Sequence, residues 1–241
     1  FRIYHSLRTK ETKPEPLPEV DVVEHELARI LAEFGIDAHA QPVPEKLSAE
    51  VRRFVHYWTG PMRGYTVRSV ERSRPHLAMI RRELRAHHLP EVLCYLPFVE
   101  SGYRTEATSS AGAQGMWQFM AKTGRSYGLR VDDTVDERTD PLMATRAACR
   151  YLDGLLSSFG ANAFMCAVAA YNKGEYGMVT CLKRAASGSP GAWRSKWKFW
   201  DMVEKGDGCL KPETVEYVPR FLAAAIVMRR PDAFGLIGGG S

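Results

Sequence analysis

Glu100 follows the apolar run Tyr95-Leu96-Pro97-Phe98-Val99 and is followed at once by the small residues Ser101 and Gly102. A carboxyl leaving an apolar segment is desolvated, which disfavours its charged form and raises its pKa. A general acid needs that shift to hold a proton near neutral pH. Taken alone, a glutamate at a helix end is an ordinary solvated residue, so its surroundings must decide. Ser109 carries a hydroxyl that both donates and accepts, and Gln118 an amide with two donors and an acceptor. Met116, Trp117 and Phe119 supply apolar surface, for a ligand face or for the core. Tyr171 ends an apolar segment with its phenol beside Asn172, and Glu213 and Tyr217 are spaced to share one helical face.

Other chemistries find less support. The cysteines, Cys94, Cys149, Cys166, Cys181 and Cys209, form no CxxC pair, and the histidines form no HExxH, so neither a metal site nor a redox motif is expected. No cofactor is called for. Cys94, Cys149 and Cys166 lie among apolar neighbours, where a thiol acts as a small core hydrophobe. Cys181 and Cys209 bracket a stretch rich in Gly, Ser, Trp and Lys. They are either free thiols or a disulfide closing a loop of roughly 30 residues, a bond that contributes about 3 to 4 kcal/mol and requires an oxidising compartment.

The elements that must position these groups read as helices. Residues 1–18, with Pro14, Pro16 and Pro18, form an extended arm. From Glu19, the residues Val20, Val23, Leu27, Ile30, Leu31 and Phe34 recur at helical spacing up to Gly35. Ser48 is placed to cap a second helix that ends at Gly60, and a third is expected over Val67 to His88, kinked or begun by Pro75. A Gly- and Ser-rich loop spans Ser101 to Gly112, and helical pattern resumes at Met116 to Gly124. Asp140 and Pro141 open a helix that ends before Gly160, and Asn162 caps the segment Ala163 to Tyr171, apolar nearly all round and therefore buried. A last helix runs from Glu213 to Arg230, stopped by Pro231. Strand signals are sparse, so the expected fold class is all-α.

At 241 residues, 45% hydrophobic and 25% charged, the chain has the composition of an ordinary globular protein, which excludes disorder and collagen-like repeats. The net charge of +5 is a mild excess that suits an anionic polymer, but no finger spacing or basic–aromatic pattern points to nucleic acid. The longest apolar run, Ala163 to Tyr171, falls well short of the roughly 20 residues that cross a bilayer. Phe1 to Thr9 do not read as a signal peptide, so any targeting segment or lipid anchor is expected upstream of Phe1. Gly238 to Ser241 read as a tail or linker scar.

Taken in order, several motifs carry a resemblance. Glu100-Ser101, Ser109, Gly112-Ala113-Gln114-Gly115-Met116-Trp117-Gln118-Phe119-Met120, Ala170-Tyr171-Asn172 and Glu213-Thr214-Val215-Glu216-Tyr217-Val218-Pro219 together resemble the motif set of bacterial lytic transglycosylases of the soluble-lytic type. The likeness runs from about Val51 to Leu236. It implies a lysozyme-like helical fold with an N-terminal helical extension over 19–88 and a catalytic domain over 89–237, with 181–209 as an insertion. It also implies a peptidoglycan glycan strand as substrate and one catalytic carboxyl, carried over to Glu100. In that family the acid protonates the oxygen between N-acetylmuramic acid and N-acetylglucosamine. The resulting carboxylate takes the proton of the muramoyl C6 hydroxyl, which closes onto C1 as a 1,6-anhydro product.

On this reading Ser109, Met116, Gln118, Tyr171, Glu213 and Tyr217 contact or support the substrate, and Ser101 and Asn172 support the site. The protein is expected to work as a monomer in the periplasm or cell envelope. Two alternatives stay open: a hydrolytic muramidase that recruits a second carboxylate from Asp132, Asp133, Asp136 or Asp140, and a glycan-binding scaffold without activity. Trp193, Trp197, Phe199 and Trp200 either line a glycan subsite or anchor the insertion to the core.

Overall fold

The computed structural model describes residues 19–159, 164–186, 198–205 and 208–237. Its elements are helices: α1 (Glu19–Glu33), α2 (Glu45–Thr59), α3 (Arg63–Ala86), α4 (Leu96–Ser101), α5 (Ala121–Ser126), α6 (Pro141–Phe159), α7 (Phe164–Lys173), α8 (Glu175–Ala186), α9 (Lys198–Lys205) and α10 (Pro212–Arg229). A 3-10 turn, Glu91–Tyr95, leads into α4. Among the described residues no strand forms, only isolated bridges.

The amphipathic stripes read from the sequence are the buried faces. In α1, Val23, Leu27, Ile30 and Leu31 are buried, and Phe34 stacks on Phe164 of α7 with ring centroids 4.0 Å apart. Gly35, at φ 70°, ends that helix in the left-handed conformation. Asp140 Oδ1 accepts the amides of Leu142 at 2.9 Å and Met143 at 2.8 Å, satisfying donors that the first turn of α6 leaves unpaired. Helix α7 is buried from Phe164 through Ala170 and packs against α6, α8, α9 and α10, as an all-round apolar segment must. Asn162, its expected cap, lies outside the described residues, as do the 1–18 arm, Trp193, Trp197 and the 238–241 tail.

Several local expectations are corrected. Ser48 does not cap α2, which starts at Glu45 after Pro44; its amide instead bonds Pro44 O at 3.0 Å inside the first turn. Helix α3 begins at Arg63 and runs through Pro75, so the proline marks neither end. The expected helix over Met116 to Gly124 shrinks to α5. Gly115 at φ 81° and Gln118 at φ 51° cannot continue a right-handed helix. The backbone pairs across the turn instead, Gln114 N to Phe119 O at 3.0 Å and Phe119 N to Gln114 O at 3.1 Å.

Two elements position the site. Helix α4 is short because Gly102, at φ 62°, caps it, with Gly102 N bonding Phe98 O at 3.0 Å and Tyr103 N bonding Pro97 O at 3.1 Å. A Cβ on Gly102 would lie 2.5 Å from Ser69 Oγ and 2.8 Å from the Tyr65 ring, so only glycine lets α3 close on the end of α4. Helix α10 packs along α2, α7 and α4, and is buried over most of its length.

Candidate active site

Glu100 occupies the last turn of α4 and is half-buried, between Val99 and the fully enclosed Ser101. Tyr217, on the buried face of α10, donates its hydroxyl hydrogen bond to Glu100 Oε1. Burial pushes the Glu100 pKa up to about 7; the bond from Tyr217 opposes the rise, the charge of Glu213 adds to it, and the charge of Arg220 opposes it. A carboxyl so placed exchanges its proton readily at neutral pH, as a group serving in turn as acid and base must. The Tyr217 and Tyr171 phenols are both held well above their ordinary pKa, first by burial and then by the charge of Glu100, so both remain donors.

The glycine-rich turn is clamped beside this pair. Ser101 Oγ donates to Met116 O at 2.9 Å, and Tyr171 Oη donates to Trp117 O at 2.8 Å. The Trp117 indole donates to Thr145 Oγ1 at 3.0 Å. Arg138 braces the turn from below, its Nη1 donating to Gly112 O at 3.0 Å and Phe119 O at 3.1 Å while its other nitrogens hold Asp136. A cleft of about 240 Å³ opens here, lined by Gln118, Phe119, Met120, Tyr151, Tyr171 and Asn172. The Tyr151 and Tyr171 rings lie 5.3 Å apart, giving it an aromatic wall with phenol edges, a surface that suits a sugar.

Not every residue singled out in the sequence faces this cleft. Met116 is 1% exposed and Trp117 is fully buried, so their side chains are core and only their carbonyls serve the site. Met116 as a substrate-contacting side chain is thereby corrected. Gln118 sits in the turn, not on a helix, and its amide nitrogen is used by Ala107 O at 3.1 Å and Gly115 O at 2.8 Å. The Ser109 hydroxyl accepts Ala113 N at 3.0 Å within its own turn and does not reach Glu100. Asn172 Oδ1 accepts from Thr214 Oγ1 at 3.3 Å, tying the end of α7 to the start of α10. Glu213 is exposed and acts on Glu100 through its charge alone. Phe199 and Trp200 are buried, so these members of the aromatic group anchor the 181–209 stretch to the core. Cys181 and Cys209 are joined by a disulfide.

The transglycosylase SLT domain family matches residues 78–190. Over that segment, a little under half of its length, the chain is similar to the family. Over 165 residues it is 32% identical to membrane-bound lytic murein transglycosylase D of Escherichia coli K12, an alignment covering 68% of this chain and 34% of that protein. It is 37% identical to peptidoglycan transglycosylase gp16 of Escherichia phage T7 over 86 residues, which are 35% of this chain and 6% of the phage protein. The chain thus spans about a third of the length of the first of these relatives. Among solved structures, an inactive glutamate-to-glutamine mutant of the lytic transglycosylase Slt from Pseudomonas aeruginosa superposes with a TM-score of 0.50 at 21% identity. That match covers 88% of this chain and 37% of the other, and it shows the all-α, lysozyme-like fold.

The SLT match includes Glu100, the clamped turn and Tyr171 but ends before α10, so the phenol on Glu100 comes from a helix outside it. Sequence reading passed over Arg220, Arg138 and Tyr65. Arg220 follows directly on the Tyr217-Val218-Pro219 motif, and that adjacency was a usable signal. Arg138 and Tyr65 act on backbone carbonyls of distant segments, Tyr65 Oη on Phe98 O at 2.7 Å, and no local spacing announces such contacts.

Proposed function

We propose that this protein is a lytic transglycosylase of peptidoglycan, with Glu100 as its single acid and base. Glu100 donates its proton to the glycosidic oxygen as the bond from muramoyl C1 breaks, and that oxygen leaves on N-acetylglucosamine. The Glu100 carboxylate then takes the C6 hydroxyl proton as O6 bonds to C1, which restores the acid and yields the 1,6-anhydro end without consuming water. Tyr217 and Tyr171 orient the carboxyl and the sugar from either side, and the clamped turn forms the floor.

The carrying observation is the half-buried Glu100 with Tyr217 bonded to it and its pKa near 7. The match to the SLT family and the identity to a named murein transglycosylase support the reading, as does the solved relative in which one glutamate-to-glutamine change gives an inactive mutant. A hydrolytic muramidase is less well served: Asp132 and Asp136 are committed to Arg130 and Arg138 at 2.6 Å each. Residues 89–237 form the catalytic body on this reading, with 19–88 as an extension sharing its core. The disulfide fits an oxidising compartment such as the periplasm or cell envelope.

Glu100→Gln keeps the shape and removes the proton, and a loss of about 100-fold or more in muropeptide release is expected. Mass spectrometry of wild-type digests should show anhydro ends. Reducing ends that have gained water, or equal activity in the variant, would overturn the mechanism.

A further inference from the structure

A second depression, of about 490 Å³, is lined by Arg72, His76, Tyr103, Arg104 and Glu106, none of which belongs to the cleft beside Tyr171. Two arginines dominate it, and both are held by the backbone that directly follows Glu100. Arg72 Nε donates to Gly102 O at 2.7 Å and its Nη2 to Ser69 Oγ at 3.1 Å. Arg104 Nε donates to Ser101 O at 3.1 Å, and its own amide to Ser101 Oγ at 3.1 Å. Nη1 of Arg72 and both terminal nitrogens of Arg104 have no acceptor among the described residues. Nor does any described carboxylate, the neighbouring Glu106 included, come within 4.0 Å of either guanidinium. Most other described arginines are paired with a carboxylate, Arg53, Arg81, Arg82, Arg85 and Arg130 among them.

The pocket adjoins the backbone of Ser101 and Gly102, the two residues that follow the acid, and Tyr65 donates from α3 to Phe98 O on the same short helix, α4. Two guanidiniums fixed through Nε, and Arg72 also through Nη2, leave three terminal nitrogens uncommitted among the described residues and form a preorganised receptor for a planar anion. An uncharged N-acetylated glycan strand does not use two such cations. The anionic groups of peptidoglycan next to the scissile bond are the carboxylates of the peptide on the muramoyl lactyl group.

We infer that the Arg72–Arg104 pocket binds a carboxylate of this stem peptide and sets a preference for strands whose peptide carboxylates are free over strands in which they are amidated. The inference rests on the transglycosylase reading above.

The test compares initial rates on intact glycan strands and on the same strands with their peptide carboxylates converted to amides, for wild type, Arg72→Gln, Arg104→Gln, Arg72→Lys and Arg74→Gln. Each glutamine variant should lose about tenfold in kcat/KM on strands with free peptide carboxylates, mainly through KM, and stay within about twofold of wild type on the amidated strands. Arg72→Lys, which keeps charge but not the fork, should fall between. Calorimetry with a soluble muramoyl tripeptide, against the same compound with its carboxylates amidated, reads the site without turnover. Wild type should bind only the free acid, and the Arg72→Gln/Arg104→Gln double variant neither. Equal losses on both substrates would assign the arginines to placing Glu100. An equal loss in Arg74→Gln, an exposed arginine of α3 outside the pocket, would reduce the effect to general charge attraction. Either result, or indifference to amidation, overturns the inference. A wild-type protein inert on both strands yet selective for the free acid would sink the transglycosylase reading and leave the pocket standing.

Discussion

The hydrogen bond from Tyr217 to Glu100 favours the charged form of the acid, so it holds the pKa below the value that burial alone would impose. Tyr217→Phe removes that bond while keeping the ring. With the opposing influence gone, the pKa rises above about 7 and the protonated form persists to higher pH. The alkaline limb of kcat/KM, where the acid is lost, should therefore move upward by about one unit, the equivalent of one charge-assisted hydrogen bond. A limb that stays put or moves down would show that the phenol does not tune the acid. At this scale the sequence pointed to Glu100 through the order of motifs that follow it, and the packing of α4 against α10 supplies the burial that a glutamate at a helix end need not have. The sequence was silent on the phenol's partner, since Glu100 and Tyr217 lie on helices far apart in the chain.

The turn between Gly112 and Met120 shows why elements were harder to read than residues. Its apolar residues Met116, Trp117 and Phe119 mimic a helical face, yet they are buried by a backbone that reverses twice. The reversal depends on Gly115, where a Cβ would lie 1.8 Å from Arg138 O and φ is 81°. Gly115→Ala should thus cost about 1 to 3 kcal/mol in urea denaturation and lower activity together with stability, because Met116 O and Trp117 O are the anchors of Ser101 and Tyr171. Unchanged denaturation would mean that the turn has room its geometry denies. Asp140 and Pro141 were legible in full, since a cap acts within one turn of chain. Ser48 was misleading because the proline before Glu45 already set the start of α2.

At the scale of the whole molecule, α1 and α2 brace the helices that carry the acid and its phenol. Glu33 accepts Arg229 at 2.8 Å through one oxygen and the Val92 amide at 2.9 Å through the other, which links α1 to the end of α10 and to the turn before α4. Glu26 is buried beneath Arg29, Arg229 and Arg230 in the same seam. The Cys181–Cys209 disulfide fastens α8 itself to the approach to α10, across a separation of 28 residues. Its loss in Cys181→Ser/Cys209→Ser should lower unfolding free energy by roughly 3 to 4 kcal/mol. Reductant should do the same to the wild type and nothing to the variant, in matched denaturant titrations. Equal sensitivity of both proteins to reductant would place the effect elsewhere.

The sequence by itself determined the helical class, the buried identity of α7 and the capped start of α6. Each of these is set by local period, local capping or local apolar context. Only the tertiary structure decided which phenol bonds the acid, that Met116 and Trp117 are core and not cleft, and that Arg72 and Arg104 share a pocket beside it. Those facts join segments distant in the chain, and side-chain spacing carries no information about which distant carbonyl or ring a group will meet once the core has closed.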